Sequence, residues 1–204
     1  MHISDGVLSP YVVGIGWAVA LPTLAISVRR LRTEQVGAYG VVAAAFFACS
    51  TIHVPVGPFS MHLVLSGIAG LLLGWGALTV VTVGLLLQAL FIGFGGLTVL
   101  GVNISIMALP GAIMGVIGRQ WMKQSSVKKR PWIGSLIGGG TILISAILLY
   151  VTLFTTHTAF IPLAKLVFLG HIPIAIVEGI ISFWLVHFLQ KVKPSLLGVS
   201  TQCH

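Results

Sequence analysis

The sequence predicts an all-α integral membrane protein of about seven spanning helices, with its amino terminus outside and its carboxyl terminus cytoplasmic. Three observations carry that expectation. Hydrophobic residues make up 57% of the 204 and charged residues only 7%, against roughly 25% charged in an ordinary soluble domain. The apolar residues fall in runs close to the ~20 residues that a spanning helix needs. Eleven Lys and Arg face only three acids, Asp5, Glu34 and Glu178, and the cations gather between alternate runs, as the positive-inside rule requires. A net charge of +8 would suggest nucleic acid only if a basic face met water in polar or aromatic company, so no nucleic-acid partner is expected.

Taken in order, the first run, 9–28, ends at Arg29, Arg30 and Arg32, and the second, 36–53, ends at His53. The third and fourth, 61–75 and 77–93, form one apolar stretch that is divided at GWG (74–76), where two glycines interrupt it. The fifth, 102–119, precedes Arg119, Lys123, Lys128, Lys129 and Arg130; the sixth is 131–154, and the seventh, 170–189, precedes Lys191 and Lys193. Seven spans from an outside start put every cation but Lys165 on the cytoplasmic side, whereas six or eight would move a cluster out. One transmembrane domain over 1–204 is expected, with KQSSVKKRP (123–131) as its one hydrophilic linker. Cys49 and Cys203 share no redox or metal motif, and Cys49 reads as a small buried hydrophobe.

This topology gathers His2, His53, His62, His157 and His171 at the outer face, together with the glycine-rich turn GFGGLTVLGVN (93–103). The first ten residues, MHISDGVLSP, have neither the charged n-region nor the cleavage site of a signal peptide. The terminus is therefore expected as written, and the bulk of His2 disfavours removal of Met1. In such a terminus the Met1 amine, the His2 amide nitrogen and the His2 Nδ1 can close a five- and a six-membered chelate ring on one metal. A deprotonated amide donor suits metals that favour tetragonal nitrogen ligation, Ni(II) or Cu(II), over tetrahedral Zn(II). His62 is the candidate for the fourth corner and His53 the runner-up. A histidine at a helix end in the interface also serves as a plain hydrogen-bonded anchor, as His2 also suits a frayed terminus.

Supporting roles go to Asp5, as an acceptor for backbone amides or a ligand imidazole, and to Gly6, which lets the chain turn back. The competing role for Asp5 is capping the first helix. Asn103 and Ser105, with His171 and Glu178 two helical turns apart on the last span, form a second polar set. Glu178 is the one acid well inside a span, and such acids face the protein interior. Pro173 is expected in the first turn of that span, where a missing N–H does no harm. Along the first span, Gly14, Ala18 and Ala25 with Pro22 form a small-residue stripe that suits either a partner helix or packing within the chain.

Four ordered motifs, MHISDG, HVPVGPFSMHL (53–63), GGLTVLGVNISIM (95–107) and HIPIAIVEG (171–179), resemble the CbiM/NikM family, the substrate-binding membrane subunits of energy-coupling-factor importers for nickel and cobalt. The resemblance covers nearly the whole chain. It implies a seven-span fold with the amino terminus inserted into the bundle, and metal capture by Met1, His2 and His62. It also implies a transmembrane coupling subunit, cytoplasmic ABC-type ATPases and a small accessory membrane subunit as partners, in a prokaryotic inner or plasma membrane. Ser4 departs from the family's usual proline, and Phe94 stands where an acid is common. The MHI-Ser-Asp-Gly start looks more like the nickel branch than the cobalt branch, so Ni(II) is the expected substrate and Co(II) the alternative.

The resemblance implies a transporter's substrate-binding subunit and not an enzyme; the chain has no phosphate-binding G-x-x-x-x-G-K-(S/T) loop, so ATP hydrolysis is expected in the partner subunits. A haem-binding membrane protein competes, because histidines lie near one surface. A membrane metal hydrolase competes less well, having no HExxH helix or paired carboxylates to supply a general base.

Overall fold

Helix α1, Pro10–Arg29, starts where Ser9 accepts from the Val12 amide at 3.5 Å and Pro10 occupies the first turn, a position in which its missing N–H costs nothing. It buries Val12, Gly16, Ala20 and Ser27 along one stripe. After a 3₁₀ turn comes α2, Val36–Thr51. The computed structural model describes residues 2–51, 53–56 and 59–199, so Met1 and Cys203 lie outside the described residues. Cys49 is partly buried.

The next segment departs from the expected all-helical pattern. Strands β2, His53–Val56, and β3, Phe59–His62, pair antiparallel, and β1, His2–Ile3, adds to the other edge of β3, giving the order β1-β3-β2. The expected third span therefore divides into β3 and α3, Ser66–Leu73. At 1.5 Å per residue α3 is only about 12 Å long, far short of the ~30 Å hydrocarbon core. Gly74 (φ +59°) breaks it from α4, Gly76–Phe91, at the GWG that the sequence marks.

Helix α5, Leu100–Lys123, contains a π-turn at Ile104–Ala108; α6 is Arg130–Thr156 and α7 is Ile161–Val192. Among the described residues four of the seven helices, α1, α5, α6 and the segment Thr158–Val192 that contains α7, are long and apolar enough to cross a membrane. The last span thus starts nine residues before its expected beginning, with Pro162 in its first turn and Pro173 inside it. The expectation for Pro173 is corrected: it leaves the carbonyl of Leu169, four residues back, without its usual amide donor. Much of the segment 155–171, which carries His157 and His171, is helix as well.

Glycine lets helices touch. A Cβ on Gly70 of α3 would land on the Gly111 carbonyl of α5, with Gly115 alongside, the close approach that small residues provide between helices in lipid. The outside of the bundle is apolar, with Ile147, Val151, Ile176 and Ile180 largely exposed. Water would not tolerate so extensive a patch, and lipid does. The sheet and the Gly93–Gly96 turn lie at the end where α1 begins, whereas Arg30, Arg32, Arg119 and Lys123 meet around Trp75 at the end where α1 finishes.

Candidate metal centre

The sheet explains how histidines sixty residues apart meet. In the register, His53 lies directly opposite His62, and His2 lies opposite Ser60, two positions along β3 from His62. Alternate residues share a strand face, so His2, His53 and His62 fall on one face, with His2 and His62 in the diagonal relation that aromatic side chains span. His2 and His62 are 1% and 3% exposed. Their Nε2 atoms are 3.0 Å apart and their ring centroids 4.8 Å. His53 is exposed, its Nδ1 lies 3.1 Å from the Thr51 carbonyl, and its ring packs edge-on against Phe94 at 4.3 Å. The same Phe94 ring is 6.1 Å from that of His2, so an apolar ring lies beside His2 where the sequence lacks a carboxylate.

The bonding of His62 fixes its tautomer. Its Nδ1 is 2.7 Å from the Leu63 carbonyl oxygen, which can only accept, so the proton sits on Nδ1 and the Nε2 lone pair points at His2. That is the orientation in which an imidazole ligates a metal while its other nitrogen is held. Burial, first among the causes, holds both imidazoles well below the ordinary histidine pKa, and mutual repulsion adds to this for His2. Burial thus favours the neutral imidazole, the form that binds a cation. The chelate derived from the sequence uses His2 Nδ1, whereas the atom that faces His62 is Nε2; forming that chelate requires the His2 ring to turn.

The terminal segment is clamped in place. Asn103 Oδ1 accepts from the Ile3 amide at 3.1 Å, and Asn103 Nδ2 donates to the Ile3 carbonyl at 3.2 Å. Asp5 Oδ1 accepts from the Thr98 hydroxyl and from the Val99 amide, the latter at 3.2 Å. Asp5 thus serves backbone and hydroxyl donors beside the start of α5, not a ligand imidazole, and the cap of α1 is Ser9. Gly95, at φ +82°, and Gly96 form the cradle: a Cβ on Gly96 would fall within the Asp5 carboxylate. Gly6 takes φ +81° at the turn back toward the bundle.

Glu178, fully buried on α7, reaches the other side of the site. Its Oε1 accepts from the Val64 amide and, at 2.8 Å, from the Leu65 amide. Those amides precede α3 at a residue in the left-handed region, Leu65 at φ +53°, so the carboxylate holds a strained turn two residues beyond His62. His171 is also fully buried; its Nδ1 lies 2.6 Å from the Val167 carbonyl, and among the described residues its Nε2 has no hydrogen-bond partner. Ser105 does not join this set, because its hydroxyl donates to the carbonyls of Gly16 and Gly101.

The sequence reading missed Gln88. It is wholly buried beside His2, and among the described residues neither amide atom makes a well-formed hydrogen bond. The available signal was a lone amide side chain within LLLQALF, since polar groups in spanning helices face the interior. Among the described residues no three His, Cys, Asp or Glu side chains gather to hold a metal. A terminal chelate needs only two side chains, with an amine and an amide as its other donors.

A family model described as CbiM, cobalt uptake substrate-specific transmembrane region, matches residues 2–196. A Haemophilus influenzae protein with a provisional metal-transport name is 38% identical over 202 residues, 97% of each chain. The fused nickel transport protein NikMN of Rhodobacter capsulatus is 36% identical over 97 residues, 45% of this chain and 28% of that one. A crystal structure of a transition metal transporter has a TM-score of 0.81 at 25% identity, over 94% of this chain and 93% of that one.

Proposed function

Since this chain belongs to the CbiM family, cobalt uptake substrate-specific transmembrane regions, we propose that it is the substrate-specific membrane component of an ATP-driven nickel importer. It takes Ni(II) from the outer side of a prokaryotic plasma membrane through Met1, His2 and His62. The observation that carries this reading is the buried, neutral His2–His62 pair, Nε2 to Nε2 at 3.0 Å, on a terminal strand clamped by Asn103 and Asp5. Docking of the terminus would bring the amine, the amide and the turned His2 ring against the prepared Nε2 of His62. Four nitrogens in one plane suit low-spin Ni(II) and not Zn(II). Co(II) is the second reading, favoured by the family's description.

The proposed topology has seven crossings, with α3 completing its crossing through β3. The sheet faces outward and the Arg30–Arg119 end faces the cytoplasm, in accord with the positive-inside rule. Energy comes from partners: a transmembrane coupling subunit, cytoplasmic ABC-type ATPases and a small accessory membrane subunit. A contact with the coupling subunit is supported by α1, where Gly14, Ala18, Pro22 and Ala25 are all exposed, so that stripe is not used for packing within this chain.

The test is metal analysis of protein with an untagged amino terminus, purified after exposure to a nickel and cobalt mixture. One equivalent of nickel with little cobalt is expected, in a yellow, diamagnetic protein. Cobalt in preference to nickel would move the substrate to the second reading, and a Soret band would replace the importer by a haem protein.

A further inference from the structure

At the end of the bundle away from the histidines, helix ends border an open cavity of ≈ 340 Å³. At about 30 Å³ per water this holds roughly eleven waters, or a phosphate with some of its hydration shell. Arg30, Arg32, Arg119 and Lys123 line it with Gln35 and Gln120, and no Asp or Glu does. Asp5 bonds Thr98 and Glu178 bonds the turn before α3, while Glu34, exposed between the lining residues Arg32 and Gln35, accepts from the Thr33 hydroxyl at 3.4 Å and does not line the cavity. Four cations therefore converge on one concave space with no counter-charge among the described residues.

The positive-inside rule accounts for basic residues that water can solvate. It does not account for Arg119. That side chain is half-buried, its Nη1 donates to the Leu72 carbonyl at 3.3 Å, and its guanidinium lies against the turn at Gly198, where an added Cβ would sit 3.0 Å from Nε and Nη2. A guanidinium carries five donors, and among the described residues Arg119 makes one hydrogen bond, to the Leu72 carbonyl. Arg30 lies 5.3 Å from the centre of the Trp75 ring at the wall of the same cavity, which holds it in place. Like charges brought together at the low-dielectric edge of a membrane repel strongly unless an anion joins them.

We propose that this cavity binds a phosphate group, supplied by the headgroup of an anionic phospholipid or by phosphate in solution. A carboxylate offers two oxygens, whereas a phosphate offers more acceptors and matches the forked geometry of several arginines together. The site is independent of the metal centre, and the two readings stand or fall separately.

The experiment uses the full chain with a carboxyl-terminal tag in nanodiscs of phosphatidylcholine with or without phosphatidylglycerol. Native mass spectrometry counts retained lipids, and calorimetry measures inorganic phosphate binding in the phosphatidylcholine discs. The double variant Arg30→Gln/Lys123→Gln removes two exposed cations without disturbing a hydrogen bond, and Arg119→Gln removes the half-buried one. Each cation near a membrane surface contributes a factor of about five, so the double variant should weaken binding about 25-fold with nickel binding unchanged. Retention of phosphatidylglycerol alone assigns the headgroup as the source, and binding of inorganic phosphate assigns the solution; either supports the site. Binding of neither, or retention in the double variant within twofold of the parent, overturns it. If Arg119→Gln fails to fold, the double variant decides alone.

Discussion

Replacing Asn103 by Ala tests whether docking of the amino-terminal strand governs metal capture. The carboxamide makes two buried hydrogen bonds to one residue, 3.1 Å from the Ile3 amide and 3.2 Å to the Ile3 carbonyl. Ile3 is fully buried, so water cannot replace either bond. Loss of two such bonds, with a buried donor and acceptor left unpaired, costs about 2–4 kcal/mol. That loss falls on the docked state alone, and apparent affinity falls with the docked fraction. Converted at RT, the ceiling is about 30- to 900-fold, reduced by whatever surplus stability the docked strand has; at least about tenfold is expected. Calorimetry of Ni(II) binding against a competing chelator measures it, and hydrogen exchange at the Ile3 amide reports docking directly. An Asn103→Ala protein with parental affinity and a slowly exchanging Ile3 amide would refute the argument.

One residue added before Met1 turns the amine into an amide and should abolish tight nickel binding, while a carboxyl-terminal tag should be harmless. Full retention in an extended protein verified by mass spectrometry would leave the imidazole pair as the only metal holder. His2→Ala should be far more damaging than His62→Ala, because it removes a chelate ring and not a single corner, and His53→Ala should change little; titration of the three proteins ranks them. Acid should release both metal and strand. The docked imidazoles have depressed pKa values, so docking carries no protonation penalty above the ordinary histidine pKa of about 6.5. Below it the undocked state takes up protons that the docked state refuses, and docking weakens by up to about tenfold per pH unit for each histidine. Nickel affinity that stays flat from pH 7 to about pH 5 would count against buried neutral ligands.

Hydropathy made the long helices legible. The expected runs 9–28, 102–119 and 131–154 differ from Pro10–Arg29, Leu100–Lys123 and Arg130–Thr156 by one to four residues at each end. It failed at 61–75, because an apolar average does not distinguish a strand running into a short helix from one spanning helix. A two-residue strand such as His2–Ile3 has no periodicity to detect, and its partner lies about sixty positions away in β3. For the centre, chain chemistry alone selected His2, His62, Asp5, Asn103 and Glu178, and the structure brings these side chains around one terminus. What each one touches was not legible: Asp5 holds a hydroxyl and an amide, Ser105 belongs to the α1–α5 contact, and Gln88 hid within an apolar run.

The anchoring of the first strand also sets an order on biosynthesis. His2 and Ile3 leave the ribosome first, yet their seat is built from β3, from Asn103 and, through the turn that Glu178 holds, from α7. At 5–20 residues per second, about 9–35 s separate translation of Ile3 from translation of Glu178. The terminus has no native partner until β3 and then Asn103 have been made, and its seat is complete only when α7 follows. Closing so long a loop is slow compared with local helix formation, so seating of the terminus is a late event in maturation. A nascent chain cut before α7 carries the first strand without the completed seat.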